Sequence, residues 1–305
     1  MKIIVLGSNG FIGKNMARRL TQTRHTVFPF SRETVDLLDG ESLKRQFKRV
    51  KPDAIMNCAA HTGSGRYVNT HAADVFRDNV QMSLNLYAAV WEESPKARIV
   101  NIFSNCSYPG DKGLQRETEW LRGPVHESIF AYGNAKRTLY YMAYCYDKQY
   151  GIRSINFLIP EVFGPGDYTD PAHTHAVNGM VIRMIKAKRN KDTRFEIWGT
   201  GKPVREAMYI DDVVTLVSSG LRTRKNLLYP LNLGQGKGHS IFEAAKIIAE
   251  VLGFSGTIVC NTAYPDGASK KVLDNARCRK IFPRHSFVDF RTGIRKTIAY
   301  YGSVL

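Results

Sequence analysis

The sequence has no apolar run as long as the roughly 20 residues that cross a bilayer. Its first residues enter an apolar strand-like segment, Ile3 to Leu6, without the charged, apolar and small-residue regions of a signal peptide. The five cysteines are scattered, and none forms a Cys-x-x-Cys pair. We therefore expect no membrane span, no disulfide framework and no zinc or other metal site, and we expect a reducing cytoplasm as the location.

Acidic residues are few relative to basic ones. The 305 residues include 27 Asp and Glu against 44 Lys and Arg, a formal net charge of +17. Residues 183–205 hold eight basic and two acidic side chains, and residues 270–296 hold nine and two. An anion-binding region, a nucleic-acid surface or a solvated basic face would each explain this excess. The absence of a zinc-finger pattern or an aromatic RNA-binding signature argues against nucleic acid as a partner.

Short apolar runs alternate with helical patterns along the first 160 residues. The patterns predict strands at 2–6, 25–30, 53–57, 98–103 and 153–159, and helices at 11–22, 41–50, 72–91 and 129–150. Apolar strands alternating with helices indicate an α/β fold, a doubly wound parallel sheet of the Rossmann type. We predict a dinucleotide-binding domain over 1–160, with a return to its sheet around 207–235, and a smaller substrate-binding part mainly over 161–305.

A glycine-rich turn separates the first predicted strand from the first helix. Glycines there let the backbone bend sharply and approach a pyrophosphate, which the N–H groups of the helix N-terminus then bind. An ordinary tight turn is the alternative interpretation. We predict that a dinucleotide is bound by Gly7, Asn9, Gly10, Phe11, Ile12 and Gly13.

The end of the second strand bears on the choice between NADP and NAD. Arg32 can pair with the 2′-phosphate of NADP, whereas an acid such as Glu33 would accept bonds from the ribose hydroxyls of NAD. We expect NADP and leave NAD open. Asp39 is predicted either to contact the adenine or to begin the next helix.

Tyr132 and Lys136 lie four residues apart on one predicted helix face. A nearby ammonium favours phenolate, so we expect Lys136 to lower the pKa of Tyr132 and to make it a general acid–base. A surface Tyr–Lys pair would give the same spacing. Ser104, at the carboxyl end of a predicted strand, can bond the same substrate oxygen, which favours a hydride-transfer site.

These motifs resemble those of extended short-chain dehydrogenase/reductases, and the sequence is most similar to the GDP-L-fucose synthases within that group. The likeness runs nearly end to end. Besides the glycine turn, it includes Asn57-Cys58-Ala59-Ala60, Asn79, the stretch Ser104 to Pro109, Tyr132 to Lys136, Phe163 to Asp167, His175, Trp198 to Gly201 with Arg205-Glu206, Tyr209 to Asp212, and Pro265-Asp266-Gly267 before Lys270-Lys271.

The resemblance implies NADPH-dependent 3,5-epimerisation and 4-reduction of a GDP-4-keto-6-deoxy sugar. It assigns the proton transfers to Cys106 and His175, although His173 could be the working histidine. It implies a homodimer and no membrane partner. It also assigns Ala59 to the cofactor, and the substrate contacts to Arg183, Trp198, Arg205 and Lys271.

The sequence departs from the family pattern at Glu161, where an asparagine usually contacts the substrate. This departure leaves the sugar open, so that a deoxyheptose or a colitose precursor could replace the 6-deoxy-mannose derivative. The function also stays open between the proposed two-step reaction, an NAD-dependent nucleotide-sugar 4-epimerase, a simple 4-reductase, and a non-enzymatic nucleotide- or nucleic-acid-binding protein.

Overall fold

The computed structural model of the chain describes residues 1–110, 113–223, 225 and 227–305. The strands are β1 (Lys2–Leu6), β2 (Thr26–Phe30), β3 (Ala54–Asn57), β4 (Arg98–Ser104), β5 (Leu114–Gln115), β6 (Ser154–Ile159), β7 (Glu161–Phe163), β8 (Arg194–Trp198), β9 (Val204–Arg205), β10 (Ala207–Tyr209), β11 (Leu231–Asn232), β12 (His239–Ser240), β13 (Thr257–Asn261) and β14 (Lys270–Leu273). The helices are α1 (Phe11–Thr21), α2 (Gly40–Val50), α3 (Gly65–Thr70), α4 (Ala72–Glu93), α5 (Phe130–Tyr150), α6 (Ala176–Arg189), α7 (Ile210–Ser218), α8 (Ile241–Leu252), α9 (Ala276–Ile281) and α10 (Phe290–Val304).

Six of the described strands form one parallel sheet in the order β11-β6-β4-β3-β1-β2. This sheet confirms the predicted doubly wound α/β fold. The order reverses between β1 and β3, and the crevice beyond the carboxyl ends of strands at such a point is where open α/β sheets bind ligands. The glycine turn follows β1 directly and therefore lies at this point.

The side chains of β1 show how the sheet buries both of its faces. Ile3 and Val5 point into one apolar cluster, with α1 and α7, while Ile4 and Leu6 point into the other, with α2, α4 and α5. All four side chains are fully buried. Alternate residues of a strand point to opposite faces, so a strand that is covered on both sides is apolar throughout. Each such side chain contributes roughly 1.5–3 kcal/mol.

The C-terminal half builds smaller sheets beside the main one. Strands β12, β9, β14 and β5 form one of these, and its register aligns Arg205 with Lys271 on one side and with His239 on the other. Helices α6, α8 and α10 pack against one another and support it. Strand β11 leaves this half and pairs with β6 in the main sheet.

The observed helix bounds lie close to those predicted from periodicity. Helix α5 ends at Gly151, which adopts the left-handed conformation (φ 68°) that commonly terminates helices. Helix α3, with six residues, was not predicted because it is too short to show a periodic pattern. Among the described residues, no helix is both long enough and apolar enough to span a membrane.

Candidate active site

The glycine turn packs α1 closely against the ends of β1 and β3. Gly7 has a φ of +70°, and a Cβ there would lie 2.8 Å from the Cα of Ala59. A Cβ on Gly13 would lie 2.0 Å from the carbonyl oxygen of Gly7. Helix α1 has no acidic residue in its first turn, and Gly10 provides no side-chain cap. A helix N-terminus without a side-chain cap or an acidic residue fits the pyrophosphate of a dinucleotide.

The other predicted cofactor residues lie around this turn with different partners. The Asn9 side-chain amide donates to Glu33 Oε2 at 2.8 Å. Arg32 is exposed and makes no hydrogen bond or ion pair with the rest of the described chain. Of the two roles predicted for Asp39, the structure shows the helix start, because its carboxylate accepts from the Ser42 N–H at 2.9 Å.

A polar cavity lies between α4 and α5 at the carboxyl ends of β1 and β3. Its lining includes Asn57, Ala59, Asn79, Ser83 and Lys136. The Asn79 side chain accepts from the His61 N–H at 3.1 Å and donates to the His61 carbonyl at 2.7 Å. Asn79 thereby fixes the loop that follows β3, so that this loop borders the cavity.

Helix α5 carries Tyr132 and Lys136 into the same region. Lys136 Nζ donates to the Ile102 carbonyl at 3.0 Å and lies 5.6 Å from the centre of the Tyr132 ring. Burial lowers the pKa of Lys136 to about 8, and the nearby Cys58 opposes this shift.

The expected lowering of the phenol pKa by Lys136 is wrong for this structure. Burial raises the pKa of Tyr132, and the charge of Cys106 adds to the rise, while a hydrogen bond with Thr62 opposes it. Desolvation is the largest cause, because burial disfavours the charged phenolate. Tyr132 is therefore protonated at neutral pH, as a proton donor must be.

Cys106, which follows the end of β4, lies near Tyr132. Ser104 Oγ accepts from the Cys106 N–H at 3.1 Å, which begins the 3-10 helix Asn105–Ser107. Lys271, on β14, has its Nζ 3.9 Å from Cys106 Sγ. Arg205 is close enough for Cys106 to influence its pKa. The thiol thus has two cationic side chains near it.

His175 immediately precedes α6 and has acidic neighbours, whereas Cys106 has basic ones. Its N–H donates to Asp167 Oδ2 at 2.9 Å, and its Nδ1 lies 3.0 Å from the same oxygen. Burial alone would lower the pKa of His175, but the hydrogen bond and charge of Asp167, with the charge of Glu161, outweigh it and raise that pKa. The Phe11 ring lies 5.5 Å from the imidazole, so His175 also adjoins the glycine turn.

His173, the alternative histidine, has other neighbours. Its Nδ1 lies 3.0 Å from Asp170 Oδ1, and its ring lies 5.0 Å from that of Tyr67. Of the two histidines, His175 is the one that pairs with a buried carboxylate, because Asp170 is exposed.

Glu161 and Arg205 line a second, mostly apolar pocket with His239, Met180 and Phe290. Burial raises the pKa of Glu161, while its bond from Val177 and the charges of His175 and Arg205 oppose the rise. Burial lowers the pKa of Arg205, and the charges of Glu161, Cys106 and Asp266 oppose that shift. Glu161 and Arg205 therefore link the surroundings of His175 electrostatically to those of Cys106.

The remaining predicted substrate residues, Arg183 and Trp198, lie together near the end of β8. The Arg183 guanidinium lies 4.9 Å from the centre of the Phe195 ring and 5.4 Å from that of Trp198, and donates to the Glu196 carbonyl at 2.9 Å. Trp198 is 54% exposed, and its ring stacks on Tyr264 at 5.0 Å. An exposed aromatic pair beside a guanidinium can receive a planar, anionic ligand.

The match to a family model decides the family of this protein. The model described as the NAD dependent epimerase/dehydratase family matches residues 3–233, which include the glycine turn, Tyr132 and Lys136. The chain belongs to this family. Its name implies a nicotinamide dinucleotide as cofactor, in agreement with the fit of the glycine turn.

Relatives similar in sequence match almost the whole chain. A probable GDP-L-fucose synthase from Drosophila melanogaster is 28% identical over 98% of this chain and 97% of its own length. A GDP-L-colitose synthase from Yersinia pseudotuberculosis is 29% identical over 99% of this chain and 98% of its own length.

Solved structures share the fold of this family member. A GDP-6-OMe-4-keto-L-xylo-heptose reductase from C. jejuni gives a TM-score of 0.90 at 21% identity, covering 100% of this chain and 98% of that one. A GDP-L-fucose synthetase from Naegleria fowleri bound to NADP gives 0.88 at 23% identity, covering 99% and 94%.

Two contributors to the site have no distinct pattern in the sequence. Asp167 ends the Phe163 to Asp167 motif, but its spacing does not indicate a pairing with His175, eight residues later. Thr62 bonds Tyr132 from a loop 70 positions earlier in the chain. Only the fold brings such pairs together, because Asp170 lies nearer to His175 in the sequence than Asp167 does.

Proposed function

We propose that the protein catalyses NADPH-dependent 3,5-epimerisation and 4-reduction of a GDP-4-keto-6-deoxy sugar. The observation that carries this proposal is a protonated phenol beside a thiol among cations, with a carboxylate-bound imidazole nearby. A plain reductase needs the phenol alone. The similarity to proteins named GDP-L-fucose synthase and GDP-L-colitose synthase supports the substrate class.

Reduction uses the groups at the end of β4 and on α5. When bound, NADPH would supply the hydride for carbon 4 of the sugar. Tyr132 donates its phenolic proton to the carbonyl oxygen, and Ser104 hydrogen-bonds the same oxygen and orients it. The ammonium of Lys136, fixed by the Ile102 carbonyl, lies beside the phenol and stabilises the phenolate left by the transfer.

Epimerisation uses the thiol and the imidazole. The 4-keto group acidifies the protons on carbons 3 and 5, so a base can remove each one and an acid can return a proton on the opposite face. We assign the role of base to Cys106, whose Sγ lies 3.9 Å from Lys271 Nζ and within electrostatic range of Arg205. Asp167 favours the imidazolium of His175, which makes it the acid.

NADP is the cofactor that the surroundings of the second strand favour. Glu33 is engaged by Asn9, whereas Arg32 is exposed and available to pair with a 2′-phosphate. The glycine-turn residues, with Ala59 and Lys136, complete the proposed cofactor site. We further propose that residues 1–160 form the dinucleotide-binding domain with a return at 207–235, and that 161–305 mainly bind substrate, which the pairing of β11 with β6 supports.

The GDP portion is proposed to lie against Arg183, Trp198, Arg205 and Lys271, which offer positive charge and an exposed ring. We also propose a cytoplasmic homodimer formed through α4 and α5. These helices pack against each other and expose large apolar side chains, including Trp91, Phe130 and Tyr141.

The decisive experiment incubates the protein with NADPH and a panel of GDP-4-keto sugars in heavy water. We expect loss of NADPH absorbance, and a product that carries deuterium at carbons 3 and 5. Reduction without deuterium uptake would identify a simple 4-reductase. NAD retained through purification, with no net NADPH consumption, would identify a 4-epimerase. Binding of a nucleotide sugar or of nucleic acid without turnover would refute the enzymatic proposal.

A further inference from the structure

Two carboxylates hold the start of α6. His175 is its N-cap residue, but the imidazole makes no capping bond. Instead, Asp167 Oδ2 accepts from the His175 N–H at 2.9 Å, and Glu161 Oε1 accepts from the Val177 N–H at 2.8 Å. Unpaired N–H groups at a helix start favour such negative partners. Glu161 is thereby fixed to a backbone group two residues after the proposed acid.

The two carboxylates differ in what else they bind. Asp167 bonds the imidazole and also accepts from the Asn178 side chain at 2.8 Å. Within the described chain, Glu161 Oε2 has no hydrogen bond, and this carboxylate faces the pocket that it shares with Arg205. Glu161 therefore lies at the start of α6, within electrostatic range of the imidazole, without occupying its ring nitrogens.

Resting on the proposed function, we infer that Glu161 is a positioning residue that, with Asp167, holds His175 in its proton-donating form during epimerisation. A negative charge close to an imidazole favours the imidazolium even without a hydrogen bond to the ring.

The groups around His175 come from the loop after β7 and from β7, β9 and α1. Asp167 lies in the loop after β7, and Glu161 is the first residue of β7. Arg205, on β9, adjoins Glu161 and partly offsets its charge. The Phe11 ring on α1 contacts the imidazole but carries no charge. Removal of the Glu161 charge therefore lowers the pKa of His175, because Asp167 is left as its only facing carboxylate in the described structure.

The test is an NMR titration of the imidazole in the cofactor-free protein, with His175→Asn used to assign its resonance. Glu161→Gln keeps an oxygen that can accept from Val177, but it removes the charge. We expect the titration midpoint of His175 to move to lower pH. With NADPH and the GDP-4-keto sugar, deuterium uptake should fall about three- to tenfold near about pH 8 and change little near about pH 6.

Two controls make the result specific. Asp170→Asn removes a carboxylate of the same loop, one that pairs with His173, and should leave the His175 midpoint in place. Glu161→Asn, neutral and shorter, should reproduce the shift if Glu161→Gln fails to fold. Deuterium uptake with an unmoved midpoint would refute this inference alone and leave Glu161 as a helix cap. No uptake by the unaltered protein would refute the proposed function.

Discussion

Replacement of Gly13 by alanine tests the cofactor site through its tightest backbone contact. The new Cβ would lie 2.0 Å from the Gly7 carbonyl oxygen and 2.7 Å from its carbonyl carbon. Real Cβ contacts essentially never fall below 3.0 Å, so the turn and α1 must separate by about 1 Å. Backbone atoms cannot rotate aside as a flexible side chain can, and the cost therefore falls on the packing of α1 against β1.

Overpacking of this kind costs about 1–3 kcal/mol in the free energy of unfolding. A displacement of about 1 Å also moves the N–H groups that bind the pyrophosphate, so we expect the dissociation constant of NADPH to rise at least about tenfold. Urea denaturation measures the first effect, and fluorescence titration with NADPH measures the second.

Gly302 provides the matched control, because it is also helical and a Cβ there would meet nothing within 4 Å. Gly302→Ala should leave NADPH binding unchanged and stabilise the protein by up to about 1 kcal/mol. Unchanged NADPH affinity in Gly13→Ala, with a stability loss below about 0.5 kcal/mol, would contradict the proposed contact between the turn and the pyrophosphate.

Three further predictions concern the site and its support. Cys106→Ser should suppress deuterium uptake while leaving direct reduction largely intact, whereas Cys145→Ser, at an exposed cysteine, should change neither; equal loss of both activities would make Cys106 structural. Tyr132→Phe should slow NADPH oxidation by about 10²–10⁴-fold with little change in NADPH affinity, and a smaller loss in stopped-flow assays would argue against its role as proton donor. Burial raises the pKa of Glu206 from 4.5 to about 7, so the folded protein binds the Glu206 proton more tightly than the unfolded chain does. The free energy of unfolding should therefore fall by roughly 3 kcal/mol as the pH rises from about 4.5 to about 7. Urea titrations should show that Glu206→Gln removes this dependence, and an unchanged pH dependence would disprove it.

Much of the fold could be predicted from local pattern. The bounds of α1 and β4 agree with prediction to within one residue, because periodicity and apolar runs are read over neighbouring positions. The short strands β5 and β9 could not be predicted in this way. Each has two residues, and each exists because β14 lies beside it and supplies backbone partners.

The parts of the site that consecutive residues form could be predicted from the sequence. The glycine turn needs only consecutive residues, and its fit to a pyrophosphate follows from the strand and helix on either side of it. The pKa of Tyr132 was predicted in the wrong direction because helix spacing reports the neighbouring lysine but not the burial of the phenol. Depth below the surface is a property of the whole fold, and desolvation is the largest cause of the rise in the Tyr132 pKa.

The amino-acid sequence alone specifies the alternation of buried strands and amphipathic helices, the turn that admits a dinucleotide, and the identity of the reactive side chains. Which charge stands next to which reactive group depends on how the chain packs. Lys271 reaches Cys106 across 165 positions of the chain, and Glu161 reaches the start of α6 across 16. Electrostatic interaction depends on distance in space and on burial, and chain packing sets both quantities independently of sequence separation.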